Sequence, residues 1–191
     1  MGPDYFIGLD LGQASDFTAL AVVERRPGEN GSEEAPYSLR HLQRFPLGTA
    51  YTAIVPAVAR LANKAPLAGR VTLVVDQTGV GRPMVDMLRG ALIQVPIIPV
   101  TITAGQRLTI TADGSHRVPK RALVFCLQRL LNTGRLKVAR TLPEAETLLQ
   151  EMRNFRVRIT PAVHETFGTW RDGEHDDLVL AAALACWQAE R

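Results

Sequence analysis

The sequence predicts an α/β protein in which a mixed β-sheet is flanked by helices, in a single domain that spans residues 1–191. Three strand-like segments follow one another in the first 45 residues, and strand and helix patterns then alternate, as in a mixed sheet with helices on its faces. A chain of 191 residues that is 46% hydrophobic can build one domain with a sizeable core, and no internal repeat or linker divides it.

The first three strands are predicted from their apolar patterns. Residues 5–11 form a nearly continuous apolar run, as do residues 17–24, and the two are predicted to be a buried strand and its hairpin partner. Residues 37–45 alternate between apolar and polar side chains, which predicts a third strand, at an edge of the sheet.

The middle of the chain alternates between helix and strand patterns. Residues 49–64 have the apolar spacing of an amphipathic helix, and Pro56 within them indicates a later helix start. Residues 71–76 are predicted to be a second buried strand that ends in a carboxylate. A helix is predicted from residue 83 and another apolar strand over 93–100.

The remaining elements are predicted from apolar spacing, prolines and glycines. They are, in chain order, a strand or hairpin excursion over 101–118, a helix with Pro119 as its first residue that runs to Asn132, a short extended segment at 136–138, a helix from Pro143 to Asn154, a strand over 155–159, a polar turn over 166–173, and a final helix from about Asp176.

Charge is unevenly distributed along the chain. The window from Arg107 to Thr160 holds eleven Lys or Arg and four acids and so carries +7, which leaves −4 for the rest of a chain whose net charge is +3. A basic half beside an acidic remainder fits a protein that binds a polyanion and keeps a carboxylate cluster elsewhere. Solvated helix faces account equally well for any single basic residue.

Two cysteines bear on the compartment. Cys126 and Cys186 each lie in an apolar helical pattern, far from any Cys or His at ligand spacing, so both are predicted to be core thiols rather than metal ligands. Such thiols are compatible with a reducing cytosol. No signal peptide precedes the first strand, and the longest apolar run is too short to span a bilayer, so a cytoplasmic protein without a membrane partner is expected.

Acidic residues stand at three conspicuous places. Asp10 lies near the end of the first strand, Asp76 ends the fourth strand, and Asp176 and Asp177 open the final helix. An unpaired buried carboxylate costs roughly several kcal/mol, so Asp10 must be paired or functional. Because the C-terminal ends of parallel strands meet at one sheet edge, and a helix packed on the sheet can bring its N-terminus there, these carboxylates are expected to converge.

Convergent carboxylates repel one another and need a cation. The ligand set is all oxygen, without His or Cys at ligand spacing, which favours Mg²⁺ or Mn²⁺ over Zn²⁺. Two such ions about 3.5–4 Å apart serve in-line phosphoryl displacement, where one activates a water and the other steadies the leaving 3′ oxygen.

Each acid also has a structural explanation. Asp176 or Asp177 could be a helix cap or a first-turn acid, and Asp76 could close an Asx-turn with the residues that follow it. Asp10 has the weakest explanation of this kind. His175 is predicted either to lie on the surface or to touch a substrate phosphate.

Basic residues at a helix start are the candidate phosphate contacts. Lys120 lies at the head of the helix that follows Pro119, with Arg117 and Arg121 beside it. A solvated helix end is an equally good explanation of Lys120.

Four stretches together resemble the nuclease domain of tailed-phage terminase large subunits, which is ribonuclease H-like. They are Gly8-Leu9-Asp10 with Asp16-Phe17-Thr18-Ala19, Val75-Asp76-Gln77-Thr78-Gly79-Val80-Gly81, Val118-Pro119-Lys120, and His175-Asp176-Asp177-Leu178-Val179 with an Ala-rich helix. The resemblance runs in order along nearly the whole chain.

The resemblance implies a site and an activity. Asp10, Asp76 and Asp177 would be the catalytic, metal-binding acids, with Asp16 and Asp176 as auxiliary ligands of two Mg²⁺ or Mn²⁺ ions. The implied activity is metal-dependent endonucleolytic cleavage of double-stranded DNA during genome packaging. The implied partners are double-stranded DNA, a separate packaging ATPase, a small terminase subunit and a portal, in the cytoplasm of the host cell.

One departure from the family stands out. Terminase large subunits carry an N-terminal ATPase motor, whereas this sequence has no G-x-x-x-x-G-K-[ST] and cannot be that motor. An excised nuclease domain, a split-gene product and a stand-alone relative all remain open.

Parts of the sequence are also compatible with functions other than a nuclease. A non-catalytic DNA-binding or assembly module of the same fold and a resolvase-like junction nuclease remain as alternatives. The stretch Gly8-Leu9-Asp10-Leu11-Gly12 also resembles the phosphate loop of sugar kinases and chaperone-type ATPases. Those folds need two lobes and a second glycine-rich motif, which 191 residues do not accommodate.

Overall fold

The computed structural model of the chain describes residues 2–12, 16–28, 35–79, 81–92, 94–154, 156–159, 165–168 and 175–191. Among these residues the strands are β1 (Asp4–Asp10), β2 (Ala19–Arg25), β3 (Tyr37–Arg44), β4 (Val71–Asp76), β5 (Ile97–Thr103), β6 (Thr109–Ile110), β7 (His116–Pro119), β8 (Leu136–Val138), β9 (Arg156–Ile159) and β10 (Glu165–Gly168). The helices are α1 (Tyr51–Ala62), α2 (Gly81–Ala91), α3 (Lys120–Asn132), α4 (Ala145–Asn154) and α5 (Asp177–Ala189).

Eight of the strands form one mixed sheet in the order β6-β7-β5-β4-β1-β2-β3-β8. The first three strands form an antiparallel meander, whereas β1, β4, β5 and β7 run parallel to one another. β9 and β10 pair separately as an antiparallel hairpin. The predicted mixed sheet flanked by helices is thus confirmed.

Hydrophobic cores fill both faces of the sheet. One core gathers Phe6, Val74 and Val100 with apolar residues of α3 and α5, and the other gathers Ile7 and Leu73 with those of α1 and α2. Alternate residues of each strand therefore belong to different cores, as the two-residue period of a strand requires.

The last helix lies inside the molecule. Every residue of α5 except Gln188 is buried, because the helix is apolar on all sides rather than along one stripe. Gly8 of β1 makes this close packing possible, since a Cβ atom there would lie 1.9 Å from the carbonyl oxygen of Ala181. No helix in the described part of the chain is both long enough and apolar enough to cross a membrane.

Several boundaries differ from the prediction. β3 is not an edge strand, because the three-residue strand β8 pairs with it in parallel. Pro56 does not delay α1, since the carbonyl of Ala50 already accepts bonds from the amides of Ala53 and Ile54 and the proline faces solvent. Pro119 is the extended N-cap of α3 rather than its first residue.

The region predicted as a polar turn, 166–173, begins as a strand. Residues 165–168 form β10, which pairs with β9, and residues 169–173 lie outside the described residues. The strand predicted over 155–159 is present as β9, with Phe155 also outside the described residues.

Candidate metal centre

Two carboxylates end neighbouring parallel strands. Leu9 of β1 pairs in register with Val75 of β4, so Asp10 and Asp76 follow side by side at the same edge of the sheet. Because Phe6 and Val74 pack in the core that contains α5, strand alternation places both carboxylates on the face that α5 covers.

The third carboxylate comes from the head of α5. Asp177 is the first residue of this helix, and Asp176 is its N-cap, whose carbonyl accepts the amide of Leu180 at 2.9 Å. The packing of α5 on β1 through Gly8 brings the helix head to the edge where the strands end. The side chains that the sequence predicted to converge are therefore close together.

Burial and mutual repulsion dominate the electrostatics of this cluster. Asp10, Asp76 and Asp177 are 8%, 7% and 5% exposed. The pKa of Asp10 is raised well above its ordinary value, first by burial and then by the negative charges of Asp76, Asp177 and Asp176. Burial also raises the pKa of Asp177 to about 6.

Asp76 has both a structural and an electrostatic role. Its Oδ1 accepts the amide and the hydroxyl of Thr78 at 2.8 and 2.5 Å, so the Asx-turn suggested as the structural explanation is present. Burial nevertheless raises the pKa of Asp76, although the bonds from Thr78 lower it. Its second oxygen remains the candidate ligand.

Lys120 lies within the cluster rather than on a solvated helix end. Its ammonium group contacts Asp176 Oδ2 at 2.7 Å, and its side chain is 23% exposed. Its positive charge lowers the pKa values of both Asp10 and Asp76. Lys120 is therefore the resident counter-charge of the carboxylates.

Asp16 and His175 lie at the rim. Both line a cavity of about 290 Å³ together with Asp10, Asp176 and Asp177. The Nδ1 of His175 is 3.6 Å from Asp177 Oδ2, and its ring packs edge-to-face on Phe17 at 4.8 Å.

The two remaining basic candidates lie away from this cavity. Arg117 is exposed on β7, where it pairs with Thr101 of β5. Arg121 donates to the carbonyl of Gln106 at 3.5 Å. The structure brings neither of them into the group that lines the acidic cavity.

The sequence analysis did not identify two residues that position Asp177 and the head of α5. Arg44 contacts Glu151, lies 3.7 Å from Asp177 Oδ2, and stacks over the Phe17 ring at 4.4 Å. Glu151 is buried and its Oε2 accepts the amide of Val179 at 3.0 Å, so it caps α5 from another helix. An acid at an inward-facing position of the predicted helix, three residues after Leu148, was the signal available in the sequence.

The donor set fits a hard divalent cation. The candidate ligands are all carboxylates, and Asp177 Oδ2 is buried without a hydrogen-bond donor among the described residues. As the side chains stand, no group of three in the described part of the chain is arranged to hold one ion. Mg²⁺ is typically bound by one or two carboxylates with water and substrate phosphates, so a complete cage of protein ligands is not required.

Comparison with known proteins agrees with this architecture. No protein-family model matches the chain. The terminase large subunit of Thermus phage G20c is 27% identical over 186 residues, which cover 97% of this chain, and that of Thermus virus P23-45 is 27% identical over the same length. The chain spans 32% of the length of each of these relatives.

Solved structures show the same fold. The magnesium-bound large terminase nuclease of thermophilic phage G20c superposes with a TM-score of 0.68 at 25% identity, covering 97% of this chain and 82% of that one. The manganese-bound nuclease domain of the large terminase of bacteriophage SPP1, at 9% identity, superposes with a TM-score of 0.58 over 98% of this chain and 87% of that one. The resemblance carried by the sequence motifs is confirmed: the chain is similar to phage terminase large subunits along nearly all of its length and has the ribonuclease H-like fold of their nuclease domains.

Proposed function

We propose that this chain is a divalent-metal-dependent endonuclease that hydrolyses phosphodiester bonds of double-stranded DNA during phage genome packaging. The observation that carries the proposal is the convergence of Asp10, Asp76 and Asp177, all buried, at one edge of the sheet. The related nucleases of phage G20c solved with magnesium and with cobalt, each at 25% identity, support it. A separate packaging ATPase, a small terminase subunit and a portal are the proposed partners.

The three buried acids would hold two Mg²⁺ or Mn²⁺ ions, with Asp176 and Asp16 as auxiliary ligands. When bound, such ions supply an activated water and a counter-charge for the leaving 3′ oxygen. Arg44 and Glu151 hold the head of α5 and the Asp177 side chain in place. Lys120 supplies a fixed positive charge beside the carboxylates, where a phosphate would approach.

A binding module without catalysis is not favoured. Burying several like charges destabilises the folded protein, and a module that only binds DNA would be more stable with amides or apolar residues in these places. A junction nuclease of the same fold differs in DNA substrate rather than chemistry, and cleavage of branched against linear duplexes distinguishes the two.

Plasmid cleavage tests the proposal. Supercoiled plasmid incubated with the chain and Mn²⁺ is expected to give nicked and then linear DNA. Asp10→Asn should abolish cutting while raising the free energy of unfolding of the metal-free protein near neutral pH, because it removes a buried carboxylate that its acidic neighbours repel. Asp86→Asn, at an exposed acid of α2, is the matched control and should cut normally.

Two results would contradict the nuclease. One is an intact plasmid with every divalent ion tested, and the other is full cleavage by the Asp10→Asn variant. Asp76→Ala is expected to abolish cutting with the fold retained, although it also removes the acceptor of two Thr78 bonds. Asp10→Asn is therefore the sharper variant.

A further inference from the structure

A second polar cavity lies at the same edge of the sheet as the carboxylates. It has a volume of about 730 Å³. Its floor is a row of side chains from adjacent strands: Gln77, which follows β4, then Thr101 of β5 and Arg117 of β7. Gln77 Nε2 donates to Thr101 Oγ1 at 3.1 Å, which joins the first two members of the row.

This groove and the acidic cluster open on opposite faces of the sheet. Val100 and Val118 belong to the core that contains α5, so strand alternation directs their neighbours Thr101 and Arg117 to the other face. Arg82 of α2 forms one wall there, and the turn from Thr111 to Ser115 forms the other.

The lining of the groove suits an anion. It presents two guanidinium groups, from Arg82 and Arg117, and a side-chain amide and hydroxyls that can donate hydrogen bonds. Guanidinium groups bind phosphate oxygens through paired N–H donors, which gives both charge and geometric fit.

A carboxylate of the protein itself already pairs with one of these guanidinium groups. Asp113 Oδ2 accepts Arg82 Nη2 at 2.6 Å, which ties the β6–β7 turn to α2. The other oxygen of Asp113 accepts the hydroxyl of Thr111 and the amide of Ser115. The Arg82 side chain is 72% exposed, and exposed ion pairs contribute little to stability, so a phosphate can replace the carboxylate.

One short segment connects the groove to the acidic cluster. Asp76 belongs to the carboxylates, Gln77 lines the groove, and Thr78 lines the acidic cavity while its hydroxyl accepts the amide of Ile102 at 2.8 Å. A strand of DNA that reaches the carboxylates from over the sheet edge would therefore pass the groove.

We infer that this groove binds a backbone phosphate of the DNA strand adjacent to the bond being cut, with Arg82 and Arg117 as its ligands and Asp113 as a competing internal anion. The inference rests on the proposed function, because it describes how the DNA substrate would lie on the sheet edge that carries the acidic cluster. It adds a second contact point on the other face of the sheet, so the DNA strand is held on both sides of the edge where the β-strands end.

Binding of a labelled duplex, followed by fluorescence anisotropy in EDTA over a range of salt concentrations, tests the groove without cleavage. Arg82→Ala and Arg117→Ala should each reduce the slope of log K against log salt, by up to about 0.9, because the two arginines share one phosphate contact. Arg89→Ala is the matched control, since Arg89 is also an exposed arginine of α2 but does not line the groove.

Asp113→Asn should have the opposite effect. The asparagine oxygen can still accept the bonds of Thr111 and Ser115, while the amide group releases Arg82. Duplex binding is expected to tighten roughly two- to fivefold, the equivalent of an exposed ion pair removed from competition. Thermal melts of all four variants check that the fold is retained.

The outcomes separate this inference from the nuclease. Unchanged salt slopes for both groove arginines, or a wild-type chain that does not bind duplex, would overturn the groove. If both arginines contribute to duplex binding but the chain cuts no plasmid, the groove is supported and the nuclease is contradicted. If the chain cuts plasmid but the salt slopes of both variants are unchanged, the nuclease is supported and the groove is contradicted.

Discussion

The buried carboxylates differ in the partners that they find. Glu24 is paired with Arg40 and Arg26, and the hydrogen bond from Arg40 is the main reason that its pKa is lowered. Asp10 is surrounded by other acids, and its pKa is raised. Pairing with arginines makes Glu24 a structural residue, whereas the acidic surroundings of Asp10 make it a candidate metal ligand.

Glu151 provides a test at the residue scale. Burial raises its pKa from 4.5 to about 7, so the folded state binds the proton more tightly than the unfolded state. The contribution of Glu151 to stability is therefore present at low pH and is lost as the pH rises from about 4.5 to about 7. Glu151→Gln keeps an acceptor for Val179 but does not titrate.

The expected result is a flatter pH dependence for Glu151→Gln. In urea unfolding of the metal-free protein, wild type should lose on the order of 1–3 kcal/mol more than the variant between pH 4.5 and pH 7.5. Glu146→Gln, on the same helix, is the control and should follow wild type. A variant whose stability falls as steeply as that of wild type would show that Glu151 is ionised throughout.

Sequence reasoning found the charged residues that lie within apolar segments. Asp10 and Asp76 lie in apolar strands, so the contrast between each charge and its apolar sequence neighbours is enough to single them out. Arg44 and Glu151 are 107 positions apart, and Arg82 and Asp113 are 31 apart. Their partners lie in distant parts of the chain, and no local pattern indicates which residues pair.

At the element scale, α5 and β1 determine the geometry of the site. Asp10 is carried by the strand and Asp177 by the helix, so the distance between the two backbones sets the separation of the two carboxylates. Gly8 allows the closest approach, because its missing side chain leaves room for the backbone at Ala181. Main-chain packing thus limits how far apart the two acids can lie.

Gly8→Ala should disturb both stability and cleavage. The added Cβ would lie 1.9 Å from a backbone oxygen, so α5 must shift, at a cost of about 1–3 kcal/mol or more. Cutting should fall at temperatures where circular dichroism still shows a folded protein. Gly90→Ala in α2 meets no atom within 4 Å and should retain activity with equal or greater stability.

A Gly8→Ala variant that cuts normally would show that cleavage does not depend on the close packing of α5 on β1.

The elements themselves were largely predictable, because apolar periodicity defines β1, β2, β4 and the helices. The extended segment predicted at 136–138 is β8, but its parallel pairing with β3 was not predictable, since three residues carry too little pattern to indicate a partner.

At the scale of the whole molecule, the cation and the DNA are expected to help one another bind. The described carboxylates do not form a complete cage for one ion, so water and substrate oxygens would complete the coordination. Linkage then requires that DNA raise the affinity for metal by the same factor by which metal raises the affinity for DNA.

Calorimetric titration checks this coupling. Mn²⁺ should bind more tightly in the presence of a cleavage-resistant duplex that keeps its phosphate oxygens than in its absence, by about five- to 150-fold, the usual range of such couplings. The Asp10→Asn variant should show little coupling. Equal Mn²⁺ affinity with and without duplex would mean that the site is complete without DNA.

The overall architecture followed from the order of the patterns. Three consecutive strands and the later alternation indicated the mixed sheet, and the parallel pairing of β1 with β4 was expected from the acids at their ends. The groove on the opposite face was not expected, because its walls come from α2 and from the β6–β7 turn, a region of weak pattern.

The order in which the chain is made has a consequence for the cell that makes it. Strand β1 leaves the ribosome about 170 residues before α5, the helix that covers it and carries Asp177. A chain interrupted before residue 177 lacks one wall of its core as well as an acid. Under the proposed function, unfinished copies would be harmless to DNA, because the cutting site is completed only when translation has passed the final helix.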